Sequence, residues 1–263
     1  MNSIHQNTIS IIDKNELTNY IKNKYIAIYM KQINEYLKPI GNKTSIIKAT
    51  DDTIYNIVRN ELKRVGPDAD LNHIDVSEVT TMEALFENTG FCGDVNKWNV
   101  GKLQNATKMF SGCKDFNSDI SRWDVRNLIF AKGMFSGCEN FNRDLSDWRV
   151  DSIQNMEHMF FKCFKFNSDL SEWNVSSCKI FSGAFYMCEN FSCDLSGWTF
   201  AEKPDFYAMF YKCKKLDFNM KNTYWEDTIN KMYYSGDYDY MIFKAGFKDQ
   251  HLPANMIQMK KYK

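Results

Sequence analysis

The residue types in this chain that could do chemistry are thiols and carboxylates, and both come in ladders. Cys113, Cys138, Cys163, Cys188 and Cys213 step by 25 residues, as do Asp94, Asp119, Asp144, Asp169 and Asp194. Thiols in register could hold a metal or form bridges. Against that, the sequence has no C-x-x-C pair. Thiols at equivalent places on stacked helices would also sit near 10 Å apart, beyond the roughly 7 Å that a disulfide spans between Cα atoms. The five are therefore read as small buried apolar residues, and Cys178 with them. Cys92 and Cys193 fall at polar positions and are read as the exposed thiols. Stacked carboxylates repel unless each accepts backbone hydrogen bonds or shares a cation; turn capping is the reading adopted, with a calcium ladder as the alternative. His5, His73, His158 and His251 share no phase. The sequence contains no paired-histidine metal motif, glycine-rich phosphate loop or G-x-S-x-G elbow. No catalytic, cofactor-binding or metal-binding residue is assigned.

The same step organises everything around those ladders. Tryptophans stand at Trp98, Trp123, Trp148, Trp173 and Trp198, and a second series runs Val100, Val125, Val150, Val175, Phe200, Trp225. Trp225 is thereby read as a terminal variant of the valine site. Ile153, Met156, Met159, Phe160 and Cys163 lie on one stripe of a short helix, and Trp173 and Val175 alternate with polar residues as a short strand does. A period in this range marks a repeat architecture. The expected fold class is α/β: a right-handed, leucine-rich-repeat-like solenoid of about six rungs, each a short strand plus a short helix. The opening rung, Ile74 to Phe86, has Ile in place of Trp.

The pattern F-N-x-D-[IL]-S-x-W-x-V followed by x-M-x-x-M-F-x-x-C, seen in Phe116 to Val125 and Met156 to Cys163, resembles the bacterial surface-protein repeat of the BspA-like or DUF285 family. The likeness covers about Leu71 to Met220. It implies the leucine-rich-repeat-like fold and an adhesion or interaction surface. Many members of that family carry an export signal or lipid-anchor cysteine, which is not read at this N-terminus.

Three segments follow. Residues 1–70 are expected to form a helical N-terminal cap, 71–225 the repeat solenoid, and 226–263 an aromatic C-terminal cap. In the first, Ile9 to Leu37 carries apolar residues at helical intervals. Thr50-Asp51-Asp52 then offers an N-cap for a helix bearing Ile54, Ile57, Val58 and Leu62, ended by Gly66-Pro67. In the third, Tyr224, Tyr233, Tyr234, Tyr238, Tyr240, Phe243 and Phe247 cluster, with a turn at Gly236-Asp237. Capping is the role assigned to both ends, because an uncapped repeat array exposes apolar surface.

Composition narrows the partner. The chain has 33 basic and 33 acidic residues, and residues 71–220 hold 16 Lys/Arg against 20 Asp/Glu; that balance argues against a phosphate-backbone ligand. Met1-Asn-Ser-Ile-His-Gln-Asn lacks the basic start and apolar run of a secretory signal, and no run approaches the length of a membrane span. The expected location is cytoplasmic, with surface or virion association as the alternative. With core positions constant, function is assigned to positions where the copies disagree: Lys97 and Asn99, Arg122 and Asp124, Asp147 and Arg149, Glu172 and Asn174, flanking successive tryptophans. The expected function is a non-enzymatic protein-interaction scaffold with a protein partner and no cofactor, monomeric or weakly self-associating. A self-assembling structural component ranks second, an enzyme with an unrecognised site third.

Overall fold

Each copy must bury a tryptophan, two phenylalanines, methionines and a cysteine, and a single copy has nothing to bury them against. In the computed structural model, which describes residues 46–232 and 240–262, each copy buries them against its neighbours. The chain divides into two compact units, Met1–Ile47 and Lys48–Lys263. The helical pattern read from Ile9 to Leu37 and the turn read at Gly236-Asp237 lie outside the described residues, and the architecture below is that of the second unit.

The elements are few. They are β1 (Ile47–Lys48), α1 (Ile54–Val65), β2 (Ile74–Asp75), α2 (Tyr224–Met232), a single 3-10 turn (Asp249–His251) and α3 (Ala254–Tyr262), with β1 and β2 forming a two-stranded sheet. Between β2 and α2 the copies are joined by isolated parallel bridges, Thr81↔Asn105, Asn105↔Phe130, Phe130↔Asn155, Asn155↔Ile180 and Ile180↔Asp205. The short helix and short strand expected in every copy are absent from these described residues, which run instead in tight turns.

The reason lies in the spacing of the stack. Phe86, Phe110, Phe135, Phe160, Phe185 and Phe210 form one column with ring centroids 5.3 to 5.8 Å apart. Packed helices need about 8–10 Å between axes, whereas neighbouring strands sit about 4.8 Å apart. Rings in face-to-face contact therefore hold the copies too close for a helix in each. The backbone compensates by alternation. Met156, His158, Phe160 and Lys162 donate their N–H groups to Ile180, Ser182, Ala184 and Tyr186 of the following copy, while Met159, Phe161 and Cys163 donate to the carbonyl three residues back. Half of the amides thus tie one copy to the next. The alternation requires left-handed residues four apart, at Lys108 and Gly112, Gly133 and Gly137, His158 and Lys162, Gly183 and Met187, and Ala208 and Lys212. At Gly183, with φ +59°, a Cβ would fall on the His158 ring, whereas Lys108, His158 and Ala208 hold the same position with φ of 55°, 55° and 50°; glycine there makes room for the His158 side chain.

The polar ends of the core side chains are matched as regularly. The indole N–H groups of Trp98, Trp123, Trp148, Trp173 and Trp198 donate to the carbonyls of Leu71, Val95, Ile120, Leu145 and Leu170. Trp225 continues this series. It donates to Leu195 O at 2.7 Å and stacks on Trp198 with centroids 6.5 Å apart, so it is a tryptophan-site residue and the valine-site reading is corrected. The chain reaches that site two residues late because it has already entered α2.

Both ends of the stack are finished by local devices. At the front, Asp51 does not cap α1, whose N-cap is Thr53. Its carboxylate instead accepts the N–H groups of Thr80 and Thr81 at 2.7 and 3.2 Å and the Thr80 hydroxyl at 2.6 Å. In the next copy the equivalent amides of Gln104 and Asn105 donate to Thr80 O, so Asp51 supplies the carbonyl that a preceding copy would have supplied. Tyr55 of α1 donates to Glu83 O at 2.9 Å. Helix α1 therefore belongs to the same compact unit as the repeats. At the back, Phe210 and Lys212 donate to Met241 O and Phe243 O, and Tyr240 and Lys244 are left-handed like Ala208 and Lys212. The segment read as a cap thus contains one further layer, Met241-Ile242-Phe243-Lys244 matching Met209-Phe210-Tyr211-Lys212, displaced by an insertion that holds α2. Asp217 fastens the exit: burial alone would raise its pKa, but hydrogen bonds from His251 and Lys248 pull it down to about 2.

Candidate interaction surfaces

The ladders that could have done chemistry are structural. Asp94, Asp119, Asp144, Asp169 and Asp194 each accept the backbone N–H two residues on, from Asn96, Ser121, Ser146, Ser171 and Ser196. These are Asx turns, in which the side chain stands in for a backbone acceptor. For Asp119, Asp144 and Asp169 such bonds hold the carboxyl below its usual range. Among the described residues, no group of three or more His, Cys, Asp or Glu side chains is arranged to hold a metal.

The cysteines are free. Each of the ladder makes the same bond: Cys113, Cys138, Cys163, Cys188 and Cys213 donate S–H to the carbonyls of Phe86, Phe110, Phe135, Phe160 and Phe185 at 2.9 to 3.1 Å. Burial pushes these thiols up, well away from thiolate. Cys92 is exposed, while Cys193 is only half-buried. Cys193 takes the place that Ser118 and Ser168 hold in other copies, accepting from Leu170 N at 3.2 Å and donating to Asp169 at 3.4 Å, and burial pushes it up to about 12. In a native-state thiol titration at pH 8, Cys92 is expected to react within minutes and Cys193 with the six buried cysteines only on unfolding. Fast reaction of a second thiol would contradict this arrangement.

All eight sequence-selected residues are exposed: Lys97, Asn99, Arg122, Asp124, Asp147, Arg149, Glu172 and Asn174. Three of them also hold turns. Asn99, Asp124 and Asn174 accept the N–H groups of Gly101, Arg126 and Ser176. Asp124, Asp147 and Arg149 line one shallow open depression together with Trp123, Val125 and Arg126. Arg126 was not among the sequence choices, although its place two residues after Asp124 was the signal. Its guanidinium forks onto that carboxylate with bonds of 2.9 and 2.7 Å; this pair and its backbone bond hold Asp124 low despite the opposing effect of burial. The depression is open and presents both charge signs.

The family described as "Mycoplasma protein of unknown function, DUF285" matches twice, over residues 57–163 and 133–242. The chain belongs to this DUF285 family. The family's span takes in α1 from Ile57 onward and runs past α2 to the displaced layer, agreeing with the wider extent of the stack rather than with the shorter stretch from Leu71 to Met220. No curated protein and no solved structure matches the chain. Among the described residues no helix is long and apolar enough to cross a membrane.

Proposed function

We propose that this DUF285 chain is a non-enzymatic protein-interaction scaffold, its stacked copies forming a right-handed, leucine-rich-repeat-like solenoid that displays a variable face. The observation that supports this reading is the division of labour within each copy. Core side chains, amides and turn carboxylates are occupied by bonds that recur from copy to copy, while the exposed pairs beside the tryptophans change identity every time. A surface held rigid at low conformational freedom lowers the ordering cost of binding. The capping of the first copy by Asp51 and Tyr55 favours a scaffold over end-to-end self-assembly, since no unfilled row of amides is left at Thr80 and Thr81.

The test is capture from the native host with the full chain and a variant carrying Arg122→Glu, Asp147→Lys and Arg149→Glu. Asp124 is left intact because it holds a turn. The expected result is a partner lost from the variant at least tenfold with an unchanged thermal melt. Retention of every captured protein by a well-folded variant would reject the tryptophan-flanking face as the binding site.

A further inference from the structure

On another column of the same copies, one position changes character halfway along the stack. It holds Ser111 and Ser136 in the early copies, then Phe161, Tyr186, Tyr211 and, in the displaced layer, Phe243. All four rings are part-exposed, and they stack in sequence with centroids 4.8, 4.5 and 5.5 Å apart and planes within 26° of parallel. Tyr207 and Tyr240, both exposed, stand edge-on beside the far end, 6.0 Å from one another and with Tyr240 5.9 Å from Phe243. Since a serine suffices at this position for the fold, the rings are not needed to build a copy.

Lysines accompany the rings. Lys162, Lys212 and Lys244 each place Nζ over the ring that precedes them, at 5.2, 5.1 and 5.2 Å. Five other lysines on the stack reach an acid on an adjacent copy, Lys102 with Glu78, Lys108 with Glu87, Lys114 with Glu139, Lys132 with Glu157 and Lys214 with Glu189; Lys162, Lys212 and Lys244 are the ones that lie against rings instead. Among the described residues no carboxylate lies within ion-pairing distance of Lys162, Lys212 or Lys244. The column therefore carries three cations that have a ring but no carboxylate beside them.

We infer that this aromatic and lysine column is a docking surface for a carboxylate-rich protein segment. The inference rests on the scaffold reading and adds a second contact surface with a stated chemistry. Two features set the sign and class of the partner. The uncompensated charge is positive, so a complementary partner is acidic. The inner ring faces are covered by neighbouring rings, leaving outward the ring edges, which carry the positive end of the aromatic quadrupole and the tyrosine hydroxyls. Edges and hydroxyls suit carboxylates and backbone carbonyls. A nucleobase needs an open ring face on which to stack, which this column does not offer along its length. Tyrosines are also the residues that recur at interface centres, where they bring contact area at small entropic cost.

The experiment measures anisotropy of a fluorescent, alternating Glu-Tyr peptide with the full chain at low salt. Oligo-Lys peptide and oligo(dT) are the comparison probes. Variants are Lys162→Glu/Lys212→Glu, and Phe161→Ser/Tyr186→Ser/Tyr211→Ser, serine being the residue that early copies already use. The expected result is saturable binding of the acidic peptide, weakened at least tenfold by either variant, with circular dichroism unchanged in both and the melt unchanged in the lysine variant. Absence of binding to the parent chain, affinity unchanged from the parent in either variant, or tighter binding of oligo(dT) would each overturn it. The Arg122→Glu/Asp147→Lys/Arg149→Glu chain, run in parallel, separates the two surfaces. If it loses host capture while acidic peptide binds no chain, the column fails alone; if it keeps capture while the column variants lose peptide, the tryptophan-flanking site fails alone.

Discussion

Trp148→Ala is expected to destabilise the protein by about 4 kcal/mol, the range for deleting a fully packed aromatic from a core. The indole of Trp148 donates to Ile120 O at 3.0 Å, lies 6.4 Å from Trp173 with planes 2° from parallel and tilts against Phe135 at 6.3 Å. Its removal takes apolar contact from two neighbouring copies at once and opens a cavity that rings held by their own columns cannot fill. Trp148→Phe keeps most of the ring contact and loses the N–H bond; Ile120 O still accepts from Trp123 N, so about 1 kcal/mol is expected. The neighbouring exposed Arg149→Ala should change stability by less than about 0.5 kcal/mol. Urea unfolding followed by circular dichroism measures all three. A Trp148→Ala loss below about 1 kcal/mol would show that the copies do not depend on the tryptophan column.

The second large effect is expected at the front of the stack. Asp51→Ala leaves the Thr80 and Thr81 amides and the Thr80 hydroxyl, all part-buried, without the acceptor they now share, and each such hydrogen bond contributes about 0.5–1.5 kcal/mol net. A net loss of about 1–2 kcal/mol is expected, since water reaches these part-buried groups, with Asp51→Asn intermediate because one side-chain oxygen remains. The pH dependence has a definite sign. Burial raises the Asp51 pKa, but the hydrogen bonds from Thr80 and Thr81 outweigh it and the net shift is downward. A carboxyl depressed in the folded state contributes stability that is present above its unfolded pKa of about 3.9 and is lost as pH falls through the lower folded value. The difference between parent and Asp51→Ala should therefore be full at pH 6 and shrink below pH 4. A difference independent of pH from 6 to 2 would mean that the carboxylate is not the group that closes the first copy.

Much of the interior was legible because a repeat states its core several times over. The positions of Trp98 through Trp198, the phenylalanine columns, the buried cysteines, the turn-capping aspartates and the end of α1 at Gly66 follow from spacing and residue type. Period alone did not convey the scale of the stack. Ile153, Met156, Met159, Phe160 and Cys163 fit a helical stripe, yet the same residues face inward when left-handed residues at His158 and Lys162 replace the helix. A single copy cannot reveal that choice, because it is made by the ring-to-ring distance between copies.

For the surface, sequence identified the eight variable positions beside the tryptophans, and their exposure required the fold only to place the tryptophans inside. The pairing of Arg126 with Asp124, the duty of Asp51 as a substitute carbonyl and the return of Phe243 to the stack after an insertion all join residues whose separation departs from the period. Sequence by itself determined which side chains go inside, and the DUF285 family, because apolar periodicity survives in a linear reading. Only the tertiary structure decided how far apart the copies stand, how each end is closed, and that Phe161, Tyr186, Tyr211 and Phe243 form one part-exposed column accompanied by lysines. Those outcomes depend on which atoms come into register across copies, and register is set by stacking.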